Sequence, residues 1–348
     1  MTRQDILDQL AAHRERVTQA QAAGDRLAEA DARAHVASSH TLLGQLAEGA
    51  AELGQAARLA FNENQLAKQG QYLYTQALLL SRLPEHRAEA EKGFTQARAT
   101  ARFSDDPDTE VKAFQRLVGL YADAQDYDAA VGTLDTFIER LTELGRDEDR
   151  VTALRMRASF NLARGATRMP AVVDDLEAAI ALCEVMGDEK TALQLRMELR
   201  VTRDFMRPDH VPEDFSAFID EAESLGDKAL LGDARYQAAA SAIRAGQYKE
   251  ALIHAEGARR AALDAPDPVR YLLACMLIAE ARDKLGDRPG VLAILLTAKV
   301  TLEDYLGKWA GQQVVLVLNS LEHRWGKEGV QIALKAYRAR VKQQNPEA

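Results

Sequence analysis

Turn-forming residues return along this 348-residue chain at a spacing of about forty, and no other feature restricts the fold so tightly. The stretch ADAQDYDAAV (Ala122 to Val131) overlays RAGQYKEAL (Arg244 to Leu252) with Gln125 on Gly246, Tyr127 on Tyr248 and Ala130 on Ala251. That shift of 121 residues is three periods. Gly286 and Gly326 follow Gly246 at steps of forty, Gly165 follows Gln125 by forty, and Glu85 precedes it by forty. A second set, Gly24-Asp25, Gly145-Arg146, Gly187-Asp188, Gly226-Asp227 and Gly307-Lys308, falls in the other phase. Glycine takes the left-handed conformation that ends one helix, and aspartate accepts N–H groups at the start of the next. Each period therefore holds two turns and two helices.

Prolines agree with this division. Pro84, Pro107, Pro170, Pro208, Pro212, Pro266, Pro268 and Pro289 stand at or beside the inferred breaks, and Pro346 lies in the tail. Between breaks the apolar residues keep helical spacing, as in Ala113, Leu117, Leu120 and Tyr121, or Leu292, Leu295, Leu296 and Val300. A hydrophobic fraction of 47% supplies a core, while aromatics at 6% and nine prolines suit helices better than sheets. The net charge of −9 argues against a nucleic-acid partner. The charged N-terminus MTRQDILDQLAAHRERV has no apolar segment of signal-peptide type. The most apolar run, VRYLLACMLIAEA, is too short to cross a bilayer and is bracketed by Arg and Glu, so no membrane insertion is expected. Cys183 and Cys275, far apart within helical patterns, form no disulfide framework or metal spacing and point to a reducing cytoplasm.

The order of a bulky residue, a small one, an aromatic and then Gly-x-Tyr-x-x-Ala resembles the tetratricopeptide repeat. The nearest copies are AFQRLVGLYADAQDYDAAVGTL, with Phe114, Leu117, Tyr121, Tyr127, Ala130 and Leu134 in family places, and AEAEKGFTQA, with Ala90, Phe94 and Ala97. Ala37, Ala77, Ala158, Ala239 and Ala279 fall where two helices must approach closely. The unit at 188–225 departs from the pattern, with Leu199 at the small place and RPDHVPED in its turn. A period near forty resembles the long-repeat subgroup of kinesin light chains and Rap-type peptide sensors. The resemblance implies an all-α fold: an α-solenoid of about eight helix pairs in a right-handed superhelix. A leading helix at 1–23 would precede repeats at about 24–62, 63–104, 105–145, 146–186, 187–225, 226–265, 266–306 and 307–343, all in one domain over 1–348. A single such hairpin cannot bury its own apolar face and depends on its neighbours.

Catalytic signals are thin, and no enzyme, cofactor or metal is expected. DDPDT (Asp105 to Thr109) and DDLEA (Asp174 to Ala178) lack the fifth-place acid of a diphosphate-binding metal motif. The segment GQLAEGAAELG lacks the Lys-Ser/Thr of a phosphate loop. Seven histidines are scattered, and His35 and His40, five apart, occupy different faces of one helix. Lys335, Arg338, Arg340 and Lys342 of the last helix read as a soluble cap.

Charge placement carries the functional reading. Arg150, Arg155, Arg157, Arg164 and Arg168 lie in a stretch without acids, and Arg196, Arg200, Arg203 and Arg207 share one helical face. In the resembled family the first helix of each unit lines the concave groove. Overlay puts Arg155, Arg196, Arg200 and Arg203 there, and a shift of register by one or two residues turns Arg157 from groove to core. Such guanidinium groups can fork onto carboxylates or phosphates of a peptide. They equally suit pairing with Asp174, Asp175, Glu177 and Glu198 of neighbouring helices. The expected function is a non-catalytic cytoplasmic adaptor that binds a peptide or protein segment, acidic or extended, in a groove containing Arg155, Arg157, Arg196, Arg200 and Arg203. The alternatives are a Rap-like peptide sensor and a self-assembling scaffold, so a homo-oligomer stays open. Ala- and Arg-rich usage hints at a bacterial source.

Overall fold

The computed structural model describes residues 2–206 and 214–344; Arg207, Pro208, His210, Pro212 and Pro346 lie outside them. Every regular element among the described residues is helical. Packing divides the chain into two compact units, Met1–Ala179 and Ile180–Ala348. The first contains α1 (Arg3–Ala23), α2 (Arg26–Leu42), α3 (Leu46–Asn62), α4 (Leu66–Leu80), α5 (Arg87–Phe103), α6 (Pro107–Asp123), α7 (Tyr127–Leu144) and α8 (Asp147–Ala163). Helix α9 (Met169–Met186) spans the division. The second holds α10 (Glu189–Phe205), α11 (Ser216–Ser224), α12 (Lys228–Arg244), α13 (Tyr248–Asp264), α14 (Pro268–Lys284), α15 (Arg288–Leu306) and α16 (Gly311–Gln344). Helix α16 is broken at Gly326, where φ is 70°.

The turns explain these boundaries. Asp25, Asp106, Asp126, Asp188, Asp227, Asp267 and Asp287 stand at helix starts and accept backbone N–H groups two or three residues on. Gly246 and Gly286 adopt positive φ at the paired turns. Gln125 does so too, at 57°, in the place that Gly246 occupies one overlay away. The period breaks at Pro84–His86 and Ala166–Arg168 are instead short 3-10 turns. The atypical unit keeps a full first helix, but its second, α11, has nine residues and begins only at Ser216, beyond Pro212.

From α1 to α8 and again from α10 to α16 each helix packs against the next, and first helices of neighbouring pairs also touch: α4 meets α6, α10 meets α12, and α12 meets α14. In the first unit Ala77 of α4 is wholly buried, and a methyl added at Gly93 of α5 would stand 2.8 Å from the Ala77 methyl. Ala37, Ala158, Ala239 and Ala279 are buried as well. Phe114 stacks on Phe137 at 4.7 Å, joining α6 to α7, and Tyr127 stacks on Phe160 at 5.7 Å, joining α7 to α8. In the second unit Tyr248 packs against Ala242, Ala251 and Ala281, which is why an aromatic stands two residues after Gly246. Polar ties repeat with the same reach. Lys68–Asp31, Arg146–Asp108, Arg244–Asp204, Arg270–Asp233 and Arg324–Asp283 each join residues about one period apart.

A left-handed conformation is strained for a residue with a Cβ. Gln125→Gly is therefore expected to raise unfolding stability by about 0.5–1 kcal/mol, and Gly246→Ala to lower it by about 1 kcal/mol. Urea unfolding followed by circular dichroism checks both.

Candidate functional site

Helix α10 carries most of the predicted arginines. It starts at the Asp188 cap, and its apolar residues Leu193, Met197 and Leu199 are buried. Arg196, Arg200 and Arg203 share one stripe of the helix, bordered by Leu193 and Met197 on one side and by Leu199 on the other. Arg196 is half-buried and ion-paired with Glu221 of α11; a second acid, Glu184, lies 3.9 Å away. Arg200 is half-buried and Arg203 exposed, and each is engaged by a neighbouring group. Arg207, the fourth member of the predicted stripe, lies outside the described residues.

Arg155 and Arg157 belong to α8 of the other unit, two residues apart and so on different sides of the helix. Arg155 is half-buried and engaged. Arg157 lies between the second helices α7 and α9. Its Nε–H donates to Asp175 Oδ1 at 3.0 Å, Nη2–H to the same oxygen at 2.5 Å, and Nη1–H to Asp135 Oδ1 at 2.6 Å. Asp175 is buried, and that burial pushes its carboxyl above the usual carboxylate range against the pull of Arg157. A cleft of about 500 Å³ runs beside this cluster, with Arg164 paired to Asp128 on its wall. Arg157 thus acts as a clamp between helices, and the predicted five do not converge on a single point within either unit.

Sequence spacing missed a larger recess in the second unit. A cavity of about 790 Å³ opens between α12, α14 and α16, lined by Tyr236, Leu273, Met276, Leu277 and Trp325. Leu273 and Met276 keep 39% and 40% of their surface exposed even though α14 buries Tyr271, Ala274, Cys275 and Ile278 on its other side. The cause is legible in VRYLLACMLIAEA: a helix apolar all round has more apolar surface than one core contact can cover. Trp325 is fixed by donating its Nε1–H to Asp283 Oδ1 at 2.8 Å, while Arg324 approaches the other oxygen at 3.4 Å. The Arg288 guanidinium lies over the Trp325 ring, 5.3 Å from its centre. Arg324 offsets Asp283, and Lys284 and Arg288 outnumber Glu280 by one on the rim.

Arg196, Tyr236, Met276 and Leu316 are successive residues at steps of forty, one from each first helix of this unit and the first half of α16. The register runs from cationic through aromatic to aliphatic. The acidic motifs have structural uses: Asp106 of DDPDT caps α6, and Asp175 of DDLEA holds Arg157. Among the described residues no group of three or more His, Cys, Asp or Glu could hold a metal ion, and no helix is long and apolar enough to cross a membrane.

No protein-family model matches the chain, and no curated protein matches it. Solved structures similar to it include aspartyl phosphate phosphatase F from Bacillus subtilis, 15% identical at a TM-score of 0.40, over 68% of this chain and 60% of that one. A signal-transduction ATPase with a tetratricopeptide repeat sensor, from Pyrococcus horikoshii, is 12% identical at a TM-score of 0.46, over 87% of this chain and 54% of that one. The apo quorum sensor NprR from B. thuringiensis is 8% identical at a TM-score of 0.35, over 91% of this chain and 99% of that one. The chain thus spans less than two thirds of the first two proteins.

Taking Arg157 away leaves the buried Asp175 without its cation. Arg157→Ala is expected to cost about 3 kcal/mol in denaturant unfolding, and adding Asp175→Leu to recover most of that loss.

Proposed function

We propose that the protein is a non-catalytic, cytoplasmic scaffold that holds an extended peptide segment of a partner protein along the first-helix register of its second unit. The cavity between α12, α14 and α16 takes an apolar anchor side chain, and the arginines of α10 meet acidic residues further along the same segment. The observation that carries this reading is the pair Leu273 and Met276, left exposed over a recess of about 790 Å³ instead of being folded into the core. That volume suits a recognition pocket, and large apolar anchors in pockets supply most of the free energy in complexes of this kind.

The charges favour an acidic partner. Lys284, Arg288 and Arg324 surround the anchor pocket, and Arg196, Arg200 and Arg203 lie on α10. Arg155 offers a similar cation on α8 of the first unit, whereas Arg157 is committed to Asp135 and Asp175 and belongs to the scaffold. Exchanging Glu221 for a partner carboxylate on Arg196 costs little, since the pair is partly exposed. It does change specificity and association rate. Both cysteines are buried free thiols, which suits a reducing compartment.

Panning a display library of short peptides against the full chain tests the reading. Enriched sequences should join one large apolar residue to flanking acids. Leu273→Glu with Met276→Glu should weaken their binding by more than about tenfold, a loss above about 1.4 kcal/mol. Arg196→Glu with Arg200→Glu should erase the acidic preference while circular dichroism and melting temperature stay nearly constant. Absence of enrichment, or binding that survives both pairs of substitutions, overturns it.

A further inference from the structure

We propose that α1 is an acid-released cap: protonation of the His13 imidazole, stacked on His35 at the α1–α2 seam, unlatches the N-terminal helix from the first repeat. The seam is lightly built. Of the 21 residues of α1 only Leu10, Val17 and Ala20 are buried, and Leu10 and Val17 share a cluster with Ala32, Val36 and Leu43. The rings of His13 and His35 stack at 5.2 Å with an interplanar angle of 21°. The Nδ1 of His13 is buried without a hydrogen-bond partner, so a proton added to this ring meets no acceptor there.

The charges around the pair oppose a second positive one. On α1, Arg16 bears on His13, and Arg14 reaches His40 Nε2 at 3.4 Å. On α2, His40 Nδ1 is bonded to Gln45 Oε1 at 2.7 Å. Asp31, the acid that bears on His35, is held by Lys68 at 2.7 Å and by the Tyr72 hydroxyl at 2.5 Å. Glu29 is taken by Arg33 at 2.8 Å and by the Gln21 amide at 2.8 Å. Both carboxylates that face the seam are therefore already engaged. Burial, then His35, then Arg16 hold the His13 pKa below the ordinary imidazole value. A histidine with a depressed pKa stabilises the docked state fully above its free pKa of about 6.5, and that contribution is lost as the pH falls below this value toward the lower docked one.

Release has a ready hinge, and a lone α1 is a marginal helix whose amides exchange faster than docked ones. Gly24, at φ 69°, has nothing within 4 Å of where a Cβ would stand, and the turn there is two residues long. Thr2 and Asp5 form a reciprocal cap, Asp5 N–H donating to Thr2 Oγ1 at 3.2 Å and Thr2 N–H to Asp5 Oδ2 at 2.6 Å. Acid therefore frees α1 and bares Ala32, Val36 and Leu43.

Amide hydrogen exchange of the full chain, corrected for intrinsic rates, reads the step between about pH 7.5 and about pH 5.5, the range that brackets imidazole titration. Protection of the α1 amides should fall, by at most about tenfold because pH 5.5 lies about one unit below the free imidazole pKa, while α14 amides keep theirs. His13→Gln and His35→Gln remove the repulsion from opposite sides of the seam, so at least one variant serves if the other loosens α1 at neutral pH. In His13→Gln the pH dependence of α1 should vanish, and in His35→Gln it should shrink to the part set by burial and Arg16. Unchanged α1 protection in the wild-type chain, an equal loss in both variants, or a matching loss in α14 overturns the proposal.

Discussion

Everything in this structure depends on how closely two helices of one pair can approach. A hairpin of two seventeen-residue helices has too little apolar surface to fold alone, so its stability comes from contacts with the hairpins on either side. Those contacts form only if the paired helices close first. Buried alanines such as Ala77, facing a glycine at Gly93, make that closure feasible because no side chain intervenes. Larger residues then fill the seams between pairs, as the stacked rings of Tyr127 and Phe160 do.

Much of this could be read from the chain because its cause is local. Glycine at positive φ and aspartate at helix starts act within four residues, so Gly24-Asp25, Gly187-Asp188 and Gly226-Asp227 announce themselves. Gln125 was visible only through its overlay on Gly246, since glutamine does not signal a left-handed turn. Asn64 and Asp105 take the same conformation without any such overlay. The shortness of α11 was hinted at by RPDHVPED, yet its starting point depends on the Phe215 and Ile219 contacts that make it a helix at all.

The candidate site was legible in outline only. Spacing alone placed Arg196, Arg200 and Arg203 on one side of α10, since helical geometry needs no neighbours. What spacing could not supply was the identity of the groups opposite. Glu221 reaches Arg196 and Asp135 reaches Arg157 because adjacent helices bring them there, across 25 and 22 residues of chain. The cavity beside α14 was hidden for a related reason. Its walls come from α12, α14, α15 and α16, which no spacing rule along the chain brings together.

The polar ties of one-period reach have a mechanical corollary. Lys68–Asp31, Arg270–Asp233 and their counterparts lock each pair to the next and to nothing further along the chain. A force drawing the ends of either unit apart would load these links in series, and the weakest would yield while the others held. Each rupture would release one period, lengthening the tether by roughly 130 Å at full extension of some forty residues. Stretching would show a staircase of near-equal steps, the signature of a molecule that gives way in increments and can recoil one hairpin at a time.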